Sequence, residues 1–183
     1  MPRKVSIRLT LDDECLQIPY GAQAYDGGHI HPYRSLIHHP EQVATIPEVE
    51  GQPALRRILE IINGPKGAFE SVRVDSSYHE HDGGIAHIIV VGFIFRDRRL
   101  FGSFDNCLLF AGKLLEALHA DEAFRDSEDS AQLEIQRAVL TEHAKEGWIM
   151  DLYLMGQGQD QDSSDRELAR RCRALHHLLE HAV

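Results

Sequence analysis

The chain opens at 5–11 with V-S-I-R-L-T-L, in which every second side chain is apolar. A period of two predicts a strand with one buried face. The pattern then dissolves. Residues 18–53 carry five prolines (Pro19, Pro32, Pro40, Pro47, Pro53) and four histidines with no regular period, which predicts a long irregular loop, a kind of segment that is often functional. Periodicity returns after it. Leu55, Ile58, Leu59 and Ile62 share one helical face, Pro53 suits the first turn, and Asn63-Gly64 stops the helix.

Two β-rich runs, 69–81 and 85–95, flank Asp82-Gly83-Gly84, a strong hairpin signal. The second run, I-A-H-I-I-V-V-G-F-I-F, is apolar on both parities and predicts a central strand covered on both sides. A turn at 96–99 and a short strand at 100–104 should follow. Asp105 is the expected N-cap of a buried helix, C-L-L-F-A-G-K-L-L-E-A-L-H-A. A further helix is expected near 128–146, from Leu133, Ile135, Val139, Leu140 and Ala144, with Gly147 ending it. The rest should be a last strand at 148–155, a polar linker at 156–165, and a C-terminal helix over 164–182 with Ser164 and Glu167 as its capping box. Strands followed by helices predict an α+β domain spanning 1–183. Its sheet would be mostly antiparallel, a hairpin and meander, with helices packed on one face and a C-terminal helix besides.

Charge narrows the partners. Nineteen basic residues against 29 acidic give a formal charge of -10, which repels phosphate backbones and anionic lipid, so neither nucleic acid nor a membrane surface is expected. The N-terminus lacks the apolar run of a signal peptide and no stretch has the length of a membrane span, which predicts a cytoplasmic location. Cys15, Cys107 and Cys172 are far apart and form no C-x-x-C pair. Cys15 and Cys172 are expected to be reduced and mostly buried.

The anomaly is histidine: twelve in all, seven of them between His29 and His87. In a strand His79 and His81 share a face, about 7 Å apart. Register decides whether His87 joins them. A three-residue loop sets His79 opposite His87 with Cβ atoms about 5 Å apart, whereas a Gly83-Gly84 loop sets Glu80 there instead. The first register predicts a three-imidazole site for zinc or iron that keeps a position open for water. His29 and His31 are candidate additional ligands, Asp75 and Ser77 would orient the ligands, and Glu80 or Asp75 would act as general base. The expected function is then a divalent-metal-dependent hydrolase or non-haem iron oxygenase acting on a small molecule or peptide. A second class is a non-catalytic acidic binding or regulatory protein whose histidines titrate near neutral pH. The apolar hairpin also offers a homodimer seam. In the C-terminal helix Cys172, His176, His177 and His181 have helical spacing, but Leu168, Cys172, Leu175 and Leu179 trace a core stripe, which makes Cys172 a packing residue.

Two short resemblances stand beside this reading, and neither is a family assignment. G-G-H-I-H-P at 27–32 resembles the H-x-H-P element of JAB/MPN-type zinc peptidases over six residues, without the serine and aspartate that follow it there. A histidine-bearing strand upstream of Asp105-Asn106-Cys107 is similar to permuted NlpC-type cysteine hydrolases. That resemblance implies His87 as base and Cys107 as nucleophile, with the helix N-terminus stabilising the thiolate. The alternative for Cys107 is a buried core thiol.

Overall fold

The computed structural model describes residues 5–12, 15–21, 23–25, 28–81, 83–125 and 130–182. Strand β1 (Val5–Thr10) follows the opening alternation. The stretch expected to be irregular contains short elements: β2 (Leu16–Ile18) reaches into it, and β3 (Gln23–Tyr25), β4 (Gly28–Ile30) and two 3-10 turns (Pro40–Thr45, Pro47–Val49) lie within it. Helix α1 (Pro53–Ile62) buries Leu55, Ile58, Leu59 and Ile62, the face that the spacing predicts. β5 (Phe69–His81) and β6 (Gly84–Phe95) form the hairpin.

The expectation of a strand at 100–104 is corrected. Asp97 caps a one-turn helix, α2 (Arg98–Phe101), and Ser103 rather than Asp105 caps α3 (Phe104–Ala120), accepting a hydrogen bond from the Asn106 N–H at 3.3 Å. A larger correction follows. The helix expected near 128–146 is a strand, β7 (Ala131–Leu140). Gln, Glu, Arg, Ala and Leu favour helix individually, yet A-Q-L-E-I-Q alternates with period two, and pairing along both edges of β7 overrides the propensity. Strand β8 (Lys145–Gly158) is longer than expected and takes up the start of the predicted linker. Helix α4 (Gln161–Ala182) begins early, closed by a reciprocal box in which the Ser163 N–H donates to Asp160 Oδ1 at 2.8 Å and the Asp160 N–H to Ser163 Oγ at 3.1 Å. Glu167 is used elsewhere, pairing with Arg170 and with the fully buried Arg171.

The fold is mixed α/β, on a six-stranded, mostly antiparallel sheet. The order is β1-β7-β8-β6-β5, and β2 pairs with β7 beyond the end of β1; among the described residues only β1 and β2 run parallel to β7. Helix α4 lies along β8 and β6, α1 packs against α4, and α3 covers β1, β7 and β8. Toward these helices point Ile89, Val91 and Phe93 of β6, Met150, Leu152 and Leu154 of β8, and Leu133 and Ile135 of β7, all buried. Gly156 of β8 lies directly under α4, where a Cβ would come within 2.5 Å of the Leu168 backbone nitrogen and 2.7 Å of its Cβ. The missing side chain therefore sets how closely α4 docks. No described helix is long and apolar enough to cross a membrane.

Candidate functional site

The hairpin register is neither of the two weighed above. His81 pairs with Gly84, leaving two residues between them, so Tyr78 stands opposite His87 and His79 opposite Ala86. His79 therefore shares the open face of the sheet with Asp75 and Ser77, and its Nε2 lies 3.1 Å from Ser77 Oγ. His87 points the other way, toward α4, so His79 and His87 do not converge. The side chains of His81 and His29 lie outside the described residues. Glu80 is exposed on the His87 side of the strand, whereas His31 and Asp75 both line a cavity over the open face. Among the described residues, three ligating side chains come within 4.8 Å of one another at His176, His177 and Glu180, on the surface of α4.

Cys107 is fully buried, and burial pushes its thiol up to about 12; the same holds for Cys172. His87 is not its base, since both ring nitrogens are taken by Ser76 and Asp165. Iodoacetamide at pH 8 should therefore leave both thiols unmodified in the native protein and reach them in urea, as peptide mass mapping would show. A thiol that ionises near 9.0 when unfolded and at about 12 when folded contributes stability that is intact below pH 9 and lost as pH rises toward 12. The loss should be about 1.4 kcal/mol per pH unit for each thiol. A urea midpoint unchanged between pH 8 and 10.5 would contradict it.

The open face carries a row of charge that strand order assembles. Pairing aligns Arg8 of β1, Glu134 of β7, Asp151 of β8, Gly92 of β6 and Arg73 of β5 across the sheet. Adjacent strands are about 4.8 Å apart, so an arginine on β5 reaches a carboxylate on β8 only if the position between them is empty. Gly92 supplies that space. A Cβ there would stand 2.5 Å from Asp151 Oδ1 and 2.6 Å from Arg73 Cγ. Arg73 crosses it and donates through Nε and Nη2 to the two oxygens of Asp151, at 2.8 and 2.6 Å. Gln136 donates to the same carboxylate, and Glu134 accepts from Thr10 and, at 3.0 Å, from the Tyr153 hydroxyl.

Asp151 has no exposed side-chain surface and Arg73 about a third, 31%. Burial pushes the Asp151 carboxyl above its ordinary value, against the pull of Arg73 and Gln136. For Arg73, burial opposes the charge, and the Asp151 carboxylate more than offsets it. Burial likewise raises Tyr20, and with the Glu134 hydrogen bond it raises Tyr153 to about 12, so both hydroxyls stay protonated donors.

Over Arg73 lies a cavity of about 560 Å³. Its outer wall is the 31–36 segment with residues 46–48, and that wall is tied down: the Tyr33 N–H donates to the Tyr20 carbonyl at 3.0 Å, the Tyr20 hydroxyl to the Val72 carbonyl at 2.8 Å, and Arg34 Nη1 to Thr45. The Tyr33 hydroxyl donates to Glu70. Leu16, Leu36, Ile46 and Val90 give the lining its apolar part, and charged groups of both signs, Arg34 and Arg73 with Glu48 and Asp75, share it with Tyr20, Tyr153, His31 and Ser71.

Arg73, Gly92 and Asp151 were not singled out from the sequence. Two signals pointed to them: a lone glycine inside I-I-V-V-G-F-I-F, which marks a close approach, and a lone acid inside W-I-M-D-L-Y-L, which needs a buried partner. Comparison with protein families, with curated proteins and with solved structures finds no match, so what the chain does is read from its own chemistry.

Proposed function

We propose that this protein binds a small amphipathic anion, a carboxylate or phosphate on an apolar body, in the cavity over β5. One observation carries the reading. Asp151 holds the Arg73 guanidinium side-on, which leaves Nη1 without a hydrogen bond to the described residues, and Arg73 lines a cavity whose walls are part apolar and part polar. A buried carboxylate that orients a guanidinium prepays the ordering cost of a charge-assisted contact. Apolar walls with a few convergent polar groups are the usual form of a small-molecule site. Asp75 and Glu48 on the same lining favour a ligand that also carries a hydrogen-bond donor. The metal-dependent reading of His79, His81 and His87 lacks this support, because it needs His87 on the face that His79 occupies.

The test is thermal unfolding with 4-hydroxyphenylacetate, phenyl phosphate and, as a neutral control, benzyl alcohol. At about a hundred times Kd a ligand adds about 2.7 kcal/mol, a rise in Tm of about 5–10 °C for a chain of this size. The anions should raise Tm and the alcohol should not. Arg73→Lys keeps the charge but loses the planar fork and should weaken the anions at least tenfold. No shift with either anion, or an equal shift in Arg73→Lys, would overturn the reading.

A further inference from the structure

On the helix-facing side of the same hairpin, the geometry assigns a second site: we infer that Ser76, His87 and Asp165 form an acyl-transfer centre with Ser76 as nucleophile. The register that turns His87 away from His79 sets it beside Ser76 of β5, with Nε2 at 2.8 Å from Ser76 Oγ. Gly156 pairs with His87 and lets α4 dock closely, and Asp165, in the first turns of α4, meets the ring from above, its Oδ1 at 2.7 Å from Nδ1. The imidazole is 1% exposed and Tyr78 stacks on it, ring centroids 4.1 Å apart, with the Tyr78 hydroxyl donating to the same Asp165 oxygen at 2.9 Å. A carboxylate at Nδ1 holds the proton there and leaves Nε2 bare to accept from the serine hydroxyl. That is the connectivity of a serine, its base and the residue that positions the base.

Access comes from the sheet edge. β5 is the last strand, and the Ser76 N–H is turned outward, donating at 2.8 Å to Asp75 Oδ1. By antiparallel alternation the N–H groups of Tyr78 and Glu80 face outward as well. An ester lying along this edge presents its carbonyl oxygen to the Ser76 N–H in place of Asp75. Ser76 Oγ then adds to the carbonyl carbon as its proton passes to His87 Nε2. Collapse breaks the ester C–O bond, and the departing alcohol takes that proton. Water, deprotonated by His87, releases the acid and restores Ser76. Ser76 and His87 are the catalytic residues; Asp165 is a positioning residue.

The experiment uses the full chain and diisopropyl fluorophosphate, in which Ser76 Oγ would displace fluoride and form a phosphoryl ester. One adduct is expected, mapped by peptide mass to Ser76, absent in Ser76→Ala and retained in Ser77→Ala. Labelling and p-nitrophenyl acetate hydrolysis should slow at least a hundredfold in His87→Gln. Should that variant fail to fold, Asp165→Asn, changed at the edge of the cluster, should slow both at least tenfold and shift the pH dependence of labelling. No adduct, an adduct elsewhere, or unchanged rates in a folded His87→Gln or Asp165→Asn would overturn the assignment.

Discussion

Arg73→Met should cost about 3–5 kcal/mol of folding stability, because it strands a carboxylate that has no exposed surface without its counter-charge. For a chain of this length that corresponds to a fall in Tm of about 6–20 °C. The direction with pH is fixed. Burial already pushes Asp151 upward, and removing Arg73 takes away the main opposing influence, so the folded variant holds the proton to higher pH than the unfolded chain does. Stability of the variant is then fully present below the ordinary aspartate range near 3.8 and is lost as pH rises through the raised folded value. Urea unfolding at pH 5 and pH 8 should find Arg73→Met disproportionately weak at pH 8. The double variant Arg73→Met/Asp151→Leu should recover most of the loss, since apolar replacement of a whole buried pair is often close to neutral. If the double variant is no better than the single, the face is held by something other than this pair.

Gly156→Ala is the second large effect. The added Cβ would meet the carbonyl of Ser164, the Leu168 nitrogen at 2.5 Å and the Leu168 Cβ at 2.7 Å, two of them backbone atoms that no rotamer change can move aside. Helix α4 has to lift from β8, and the expected loss is about 3 kcal/mol or more. The same displacement draws Asp165 from His87. Gly112→Ala in α3 is the matched control: a Cβ there meets nothing within 4 Å, so the change should stabilise by about 0.5–1 kcal/mol through helix propensity. Urea midpoints for the two variants should move in opposite directions. A Gly156→Ala protein as stable as wild type would contradict the close docking of α4.

The two long strands of the hairpin were legible as β-rich runs on either side of a turn signal, and α1 because its apolar face recurs at helical spacing. Register was not. Asp82-Gly83 and Gly83-Gly84 are both acceptable two-residue turns, and a single step between them decides whether Tyr78 or Glu80 faces His87. β7 was misread because its residue types favour helix while its partners on one edge, β1 and β2, come from the far N-terminal part of the chain. The candidate site was hidden for a related reason. Arg73, Gly92 and Asp151 sit on three strands and become neighbours only once the order β8-β6-β5 is known. The histidines drew notice by number, and number says nothing about which face a side chain takes.

The strand order also ranks the steps of assembly. β5 and β6 close across two residues, and β7 and β8 across the four residues 141–144, so each pair is a local hairpin with little loop to close. The seam between β6 and β8 is costlier, and β1 must find β7 from near the other end of the chain. Loop-closure entropy thus orders the events as hairpins, then seam, then the parallel edge. Arg73 belongs to the first hairpin and Asp151 to the second. Their ion pair cannot form within either, and it closes only when the two halves of the sheet come into register, which makes it a latch on the seam as well as the base of a pocket.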